Sequence, residues 1–281
     1  MIKRKFNRIT IIGVGLIGGS LGLAIRKKHL AKEVVGVCRS SRSVALAKRM
    51  GAIDWGTTLP LRAIQGADLV ILATPIRVMP HLVRKIARRL SPGCLVTDVA
   101  STKGSLVSEI EAFLPPQVAF VGSHPMAGRE TRGVSHAVPT LFEGSICFVT
   151  RTRRTSPSSL RTLREFWGRI GCRVKVVRLK AHDRIVSSLS HLPHVLAALL
   201  VLNTEGIEWA GTGFKDMTRI ASSDPWLWRD ILLSNQREIL RSFRQFQKRF
   251  DQITRHLEKK DAEAILGLFE KAKSLRDRLV R

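Results

Sequence analysis

Apolar runs of four or five residues, rich in valine and isoleucine, recur through the first half of the chain at residues 9–12, 34–38, 69–73, 94–98, 119–122, 146–150 and 174–177. Between most of them lie longer stretches of helical spacing, with Gly51, Gly66 and Pro92-Gly93 at the junctions. Short continuous apolar runs bounded by turn residues read as buried strands, and their alternation with helices predicts a parallel sheet covered by helices. Thr155-Ser156-Pro157-Ser158 opens a further helix that carries Leu160, Leu163, Phe166 and Trp167. After about residue 178 the strand-like runs stop. Ile239, Phe243, Phe246, Phe250, Ile253 and Leu257 alternate four- and three-residue steps along one helical stripe, and Asp261 N-caps a second helix with Ile265, Leu268, Phe269, Ala272 and Leu275 on its apolar face. The pattern predicts an α/β chain, with a parallel-sheet domain over residues 1–178 followed by an all-α domain over 179–281. On spacing alone the stripe serves equally as an intrachain bundle or a dimer face.

The first predicted strand runs directly into Gly13-Val14-Gly15-Leu16-Ile17-Gly18, and a helix follows. Gly13 suits a tight turn, Gly15 lets the backbone approach a pyrophosphate, and Gly18 lets helix and strand pack closely. The helix expected over residues 20–27 turns its N-terminus to the phosphate charge, and Leu16 and Ile17 of the turn belong to the same cofactor site. With a second strand after the helix, this is a dinucleotide fingerprint of the Rossmann type. An acid at the end of that second strand would bind the adenosine ribose 2′-hydroxyl, and none is present. Arg39, Ser40 and Arg42 instead offer guanidiniums and a hydroxyl to a 2′-phosphate, which favours NADP. NAD remains acceptable if Arg39 stacks on the adenine and Arg42 is solvated. Thr74 and Pro75, at the end of the third predicted strand, form another wall of the site.

Charge adds one complication. The chain of 281 residues carries a net +26, and through Arg178 there are 30 Lys and Arg against 9 Asp and Glu, or +21. Such an excess raises the question of a polyanionic partner. The basic residues are scattered, with no aromatic RNA-binding motif, zinc finger or long basic helix, so a specific nucleic-acid partner is not predicted and attraction of anionic small ligands is. The four cysteines are far apart with no CxxC pair, so neither a disulfide framework nor a zinc ribbon is indicated, and buried thiols are expected. The start of the chain lacks a cleavage site, and the apolar stretch at residues 195–202 is well short of the ~20 residues that span a bilayer. A cytoplasmic protein without a membrane span is expected.

Four segments are dense in functional side chains: residues 98–103, 122–130, 190–194 and 214–230. The first two follow predicted strands, at the sheet edge where ligands bind in open α/β folds, so Ser101 and His124 should face a nicotinamide ring. An imidazole there suits removal of a hydroxyl proton as hydride leaves the same carbon, although a loop-capping role is the plainer reading. Arg219 can hold a carboxylate through two parallel bonds or pair with Asp216. His191 and His194 share a helix face that could be half a metal site, but no further ligand cluster joins them, and no metal is predicted. Trp228 suits either an aromatic ligand or the core.

Gly-Ser-His-Pro-Met-Ala-Gly-Arg-Glu at 122–130, Ser-His-Leu-Pro-His at 190–194 and Gly-Phe-Lys-Asp-Met-Thr-Arg-Ile-Ala-Ser-Ser-Asp-Pro at 213–225 with Trp228 resemble the prephenate/arogenate dehydrogenase family over nearly the whole chain. The resemblance implies oxidative decarboxylation of prephenate to 4-hydroxyphenylpyruvate in tyrosine biosynthesis, or of arogenate to tyrosine, with hydride passing to NAD(P)+. It makes His124 the catalytic residue at the ring hydroxyl, with Ser101 bonding the hydroxyl or orienting His124. Arg219 becomes the anchor of a dicarboxylate substrate and His194 a substrate contact, with Glu130 and Asp216 closing the pocket around Arg219. A homodimer through the helical half is also implied. The missing acid after the second strand departs from the family's NAD pattern, and no fused mutase or regulatory segment is apparent. Two other readings compete. Another Rossmann hydroxy acid dehydrogenase would show a glycine-rich segment leading to a catalytic lysine, which is absent, and a dinucleotide-dependent nucleic-acid binder would show steeply salt-dependent binding.

Overall fold

The computed structural model describes residues 6–128 and 130–279. Six strands, β1 (Phe6–Ile12), β2 (Ala31–Val37), β3 (Trp55–Thr57), β4 (Leu69–Leu72), β5 (Leu95–Asp98) and β6 (Ala119–Phe120), form a wholly parallel sheet in the order β3-β2-β1-β4-β5-β6. The connecting helices are α1 (Leu16–Lys27), α2 (Ser41–Arg49), α3 (Pro60–Ala63), α4 (Met79–Ile86) and α5 (Gly104–Phe113). This is the Rossmann order, whose direction reverses between β1 and β4 and leaves a crevice at the strands' carboxyl ends. Period-two alternation explains why the strands are apolar throughout. Ile9, Ile11, Val34, Leu69 and Ile71 enter one core, while Ile12, Val35, Val37, Val70, Leu72 and Val96 enter the core on the opposite face.

The remaining predicted strands do not extend this sheet. A second sheet, β7-β8-β9, consists of β7 (Ser123–Pro125), β8 (Ile146–Arg151) and β9 (Arg173–Arg178), with β7 antiparallel and β9 parallel to β8. The chain changes sheets at Gly122. Val121 N–H still donates to Val96 of β5, whereas the Gly122 carbonyl already accepts from Thr150 of β8. The single-sheet expectation therefore fails there, and the 119–122 run is a strand only at Ala119–Phe120. His124, expected just past the end of a strand of the first sheet, lies on β7. The short β3 had no signal of its own beyond Trp55 and Thr57.

Between β8 and β9 runs α6 (Pro157–Ile170), with Pro157 in its first turn and the Ser156 side chain accepting from Ser159 N–H, as the Ser-Pro start predicted. Helices α7 (Leu179–Val186), α8 (Leu192–Leu202), α9 (Thr212–Thr218) and α10 (Pro225–Ser234) follow, with a π-helical turn at Ser187–His191 joining α7 to α8. The strands end at Arg178 as expected, but the first compact unit continues to Asn235. The second unit, residues 236–281, comprises α11 (Gln236–Glu258) and α12 (Ala262–Asp277), where Asp261 N-caps α12 by accepting from Ala264 N–H. The stripe predicted over residues 239–257 lies on α11, and Phe246, Phe250 and Leu257 are exposed.

All four cysteines are buried free thiols. One helical run among the described residues, Leu179–Leu202, is long and apolar enough in length and composition to cross a bilayer, although counting from residue 195 had suggested otherwise. It carries His182, Asp183 and His191, all buried and hydrogen-bonded within the first unit.

Candidate active site

The glycine turn has the geometry its spacing predicted. Gly13 sits at φ +100°, and a Cβ there would lie 2.5 Å from the Ala73 carbonyl oxygen. At Gly18 a Cβ would lie 2.1 Å from the Gly13 oxygen, so this glycine brings α1 against the turn. A Cβ at Gly15 would meet nothing within 4 Å. Gly15 thus keeps a surface open rather than relieving a clash inside the protein. The first turn of α1, from Leu16 and Ile17, has no side-chain cap and no acid, and its unclaimed amides and dipole favour a phosphate. Thr74 Oγ1, just past β4, is buried with no hydrogen-bond partner among the described residues, and Pro75 follows it as the N-cap of a short 3-10 turn. These features fit a dinucleotide lying across the carboxyl edge of the sheet.

At the adenosine end, β2 is followed by the buried Cys38 and then by exposed Arg39, Ser40 and Arg42. Ser40 is committed locally: its oxygen accepts from Ser43 N–H and caps α2. The two guanidiniums are the cationic groups at this corner, with no acid between residues 34 and 53.

His124 lies one residue beyond the point where Asp98, the last residue of β5, accepts the Ser123 backbone N–H at 3.1 Å. It is only 6% exposed. Its Nδ1 is 3.0 Å from His182 Nε2, His182 Nδ1 is 2.7 Å from Asp183 Oδ1, and Phe148 packs its edge against the His182 ring. Asp183 also accepts the backbone N–H groups of Lys103 at 2.9 Å and Gly104 at 2.7 Å, so it caps α5 from a distance. The Lys103 ammonium is wholly buried and donates to Asp98 Oδ2 and to the Ala100 carbonyl.

Burial first, and then the neighbouring His182 and Lys103, hold His124 well below the usual histidine pKa, so its ring is neutral at pH 7. His182 is also lowered by burial, against the opposing bond from Asp183. Burial alone would raise the Asp183 carboxyl, but the His182 bond and charge and the two amides outweigh it and keep the carboxyl below its ordinary value. The contact on His124 Nδ1 therefore comes from His182 and not from Ser101, which lies half-buried on the turn between β5 and α5.

On the helical side, His194 stacks on Trp228 with ring centroids 3.7 Å apart, and its Nδ1 is 3.0 Å from the Ser190 carbonyl. That bond places the proton on Nδ1 and leaves Nε2 as an acceptor. His191 packs its edge on the same indole, and Asn235 Nδ2 donates to its Nδ1 at 3.2 Å, so the His191 proton sits on Nε2. That nitrogen is buried without a partner among the described residues. Burial lowers His194, and the charges of Glu130 and Arg219 reach it with opposite signs. Arg219, at the end of α9, pairs with Glu130 on the loop after β7, and Arg132 of that loop pairs with Asp224. Asp216, expected to compete for Arg219, is exposed. No group of three His, Cys, Asp or Glu among the described residues could hold a metal ion.

Around His124 the structure thus sets His182, Asp183, Lys103 and Asp98, which the sequence reading did not assign to the site, while His194 lies on Trp228 and Arg219 on Glu130. Asp98 and Lys103 stood in a segment already dense in polar groups. His182-Asp183, just after the last strand, carried only the weak signal of two polar residues entering an apolar helix.

The family model described as prephenate dehydrogenase, nucleotide-binding domain, matches residues 21–176, and that described as prephenate dehydrogenase, dimerization domain, matches residues 179–271. Prephenate dehydrogenase of Bacillus subtilis is 36% identical over 280 residues, which cover 96% of this chain and 76% of that protein. Cyclohexadienyl dehydrogenase of Zymomonas mobilis is 29% identical and covers 96% and 95%. Among solved structures, prephenate dehydrogenase from A. aeolicus in complex with hydroxyphenyl propionate and NAD+ superposes with a TM-score of 0.90 at 31% identity, covering 97% of this chain and 98% of that one.

Proposed function

The chain belongs to the prephenate dehydrogenase family, and from that premise we propose that it oxidatively decarboxylates prephenate to 4-hydroxyphenylpyruvate, in tyrosine synthesis. The observation that carries this reading is the neutral, buried imidazole of His124, at the carboxyl edge of the sheet whose first turn is Gly13–Gly18. With His124 Nδ1 engaged by His182, Nε2 is the nitrogen left to accept a proton from the substrate ring hydroxyl. A bound NAD(P)+, held at the Gly13–Gly18 turn, would supply the acceptor for the hydride of the same carbon. Loss of the proton turns that carbon into a carbonyl. The electrons of the bond to the ring carboxylate then flow into the ring, carbon dioxide leaves, and the resulting phenolate recovers its proton from His124. Ser101 bonds the ring hydroxyl, Arg219 holds a substrate carboxylate, and His194, fixed by Trp228, supplies a further polar contact. Water exclusion falls to the loop that carries Glu130 and Arg132.

Arg39 and Arg42, with no acid beside them, favour NADP over NAD. The deciding assay follows reduced-nicotinamide absorbance with prephenate and arogenate, each crossed with NAD+ and NADP+. Turnover of prephenate, with a lower KM for NADP+ that rises towards that of NAD+ in Arg39→Ala/Arg42→Ala, is the expected result. Failure to turn over either substrate would sink the reading, as would unchanged turnover in His124→Asn, where general-base loss should cost about 10²–10⁴-fold.

A second copy of the chain is the expected partner. Leu202, Trp209, Met217 and Trp226 are 67–84% exposed in the first unit, more large apolar surface than isolated monomers usually leave to water. Light scattering after size exclusion should give twice the monomer mass.

A further inference from the structure

The polar chain behind His124 has a direction, and the direction decides which nitrogen of the catalytic ring can work. Asp183 is held as a carboxylate by three contacts, from the His182 ring and from the backbone N–H groups of Lys103 and Gly104, which form the favourable amino-terminal end of α5. A carboxylate accepts only, so the His182 Nδ1 that faces it at 2.7 Å carries the hydrogen. Neutral His182 then has a bare Nε2. That atom is the one 3.0 Å from His124 Nδ1, so His124 must donate from Nδ1 and keep Nε2 unprotonated.

We propose that His182 and Asp183 are positioning residues that lock His124 in the Nδ1–H tautomer, so that its Nε2 always presents a lone pair to the substrate hydroxyl. The arrangement is that of a base and a carboxylate orienter with a second imidazole inserted between them. When His124 takes the substrate proton, its Nδ1–H still donates to a neutral acceptor, and that acceptor is polarised by the Asp183 charge behind it. No net proton leaves the network, because His124 returns the proton to the phenolate.

The geometry around Asp183 is built for this contact. A Cβ on Gly104 would lie 2.8 Å from Asp183 Oδ2, so residue 104 must be small for the carboxylate to reach the amides. His182 is fully buried, with Phe148 edge-on at 5.5 Å between centroids, and has no room to adopt another orientation cheaply. The three side chains come from β7 and α7, so the lock forms only when the helical segment after Arg178 has docked on the second sheet.

This inference rests on the proposed reaction for its consequence, yet its first test does not use turnover. In the wild-type protein labelled with ¹⁵N-histidine, the His124 signals, identified by their loss in His124→Asn, should show a protonated Nδ1 and a bare Nε2. Free imidazole side chains prefer the opposite tautomer, so an Nε2–H signal for His124 would overturn the lock even in a fully active enzyme. For the kinetic consequence, His182→Leu removes the acceptor and His182→Gln restores one near the Nε2 position. We expect kcat to fall by at least about tenfold in the leucine variant, since a wrong tautomer costs about 10⁴-fold in the serine-protease triads. KM and cofactor Kd should stay within about threefold, and glutamine should recover most of kcat. A smaller loss in the leucine variant, or an equal loss in both variants, would overturn the positioning role. An inactive wild type with the expected spectrum would instead count against the proposed reaction and leave the lock standing.

Discussion

The Arg219 guanidinium donates to the Glu130 carboxylate, which lies 89 residues earlier on the loop that leaves β7. The residue expected to anchor a substrate acid is thus held by an acid of the protein itself. Arg219 is 64% exposed at its side chain, so the bond is a weak, solvent-screened one of at most about 1 kcal/mol. A dicarboxylate can displace it at little cost. Arg219→Gln should raise KM for the substrate by about tenfold or more with cofactor affinity unchanged, as measured in steady-state kinetics and cofactor titration. Glu130→Gln should change KM by less than Arg219→Gln does.

Gly15 and Gly18 stand three residues apart and separate binding from folding. Gly15→Ala places its methyl in open space, so thermal unfolding should be unchanged while cofactor Kd rises, because the added carbon occupies the path of the pyrophosphate. Gly18→Ala collides with the Gly13 oxygen and should lower the melting temperature whether or not cofactor is present. Equal effects on both properties in both variants would contradict the assignment of the turn.

The Lys103–Asp98 pair is wholly buried, and Asp98 also receives the backbone N–H groups of Ser123 and Ala100. Lys103→Met leaves that carboxylate without its cation. Breaking a buried pair from one side costs about 3–5 kcal/mol, which urea unfolding should register. Because Ser123 precedes His124, residual activity in this variant should fall further than the folded fraction does.

Three buried histidines give stability a pH dependence of known sign. His124 and His182 are lowered from their ordinary values, and burial lowers His191 to about 4. Below pH ~6.5 the unfolded chain takes up protons that the folded protein refuses, so each group removes up to about 1.4 kcal/mol of stability per pH unit. For His191 that loss runs from pH ~6.5 down to about 4, below which both states are protonated and it stops. Denaturant midpoints should therefore be flat from pH 7 to 8 and fall steadily between pH 6.5 and 4. Replacing His191 by Gln should shallow that slope.

The sequence by itself determined the parts of this protein that depend on neighbours along the chain. Strand and helix periods placed β1, β2, β4 and β5 to within a few residues, the glycine spacing specified the turn before α1, and Ser156 and Asp261 marked helix starts through their own side chains. The segment around His124 stood out as a histidine and a proline after an apolar run, but its local pattern suited loop capping as well, and only the family resemblance implied a catalytic role. Only the tertiary structure decided what those side chains meet. The move of the chain from one sheet to the other at Gly122 depends on hydrogen bonds to β5 and β8, which no local pattern records. The partnership of His124 with His182 spans 58 residues, and that of Asp183 with α5 spans about 80. A side chain's tautomer and charge follow from the atoms that face it, and folding alone brings those atoms together.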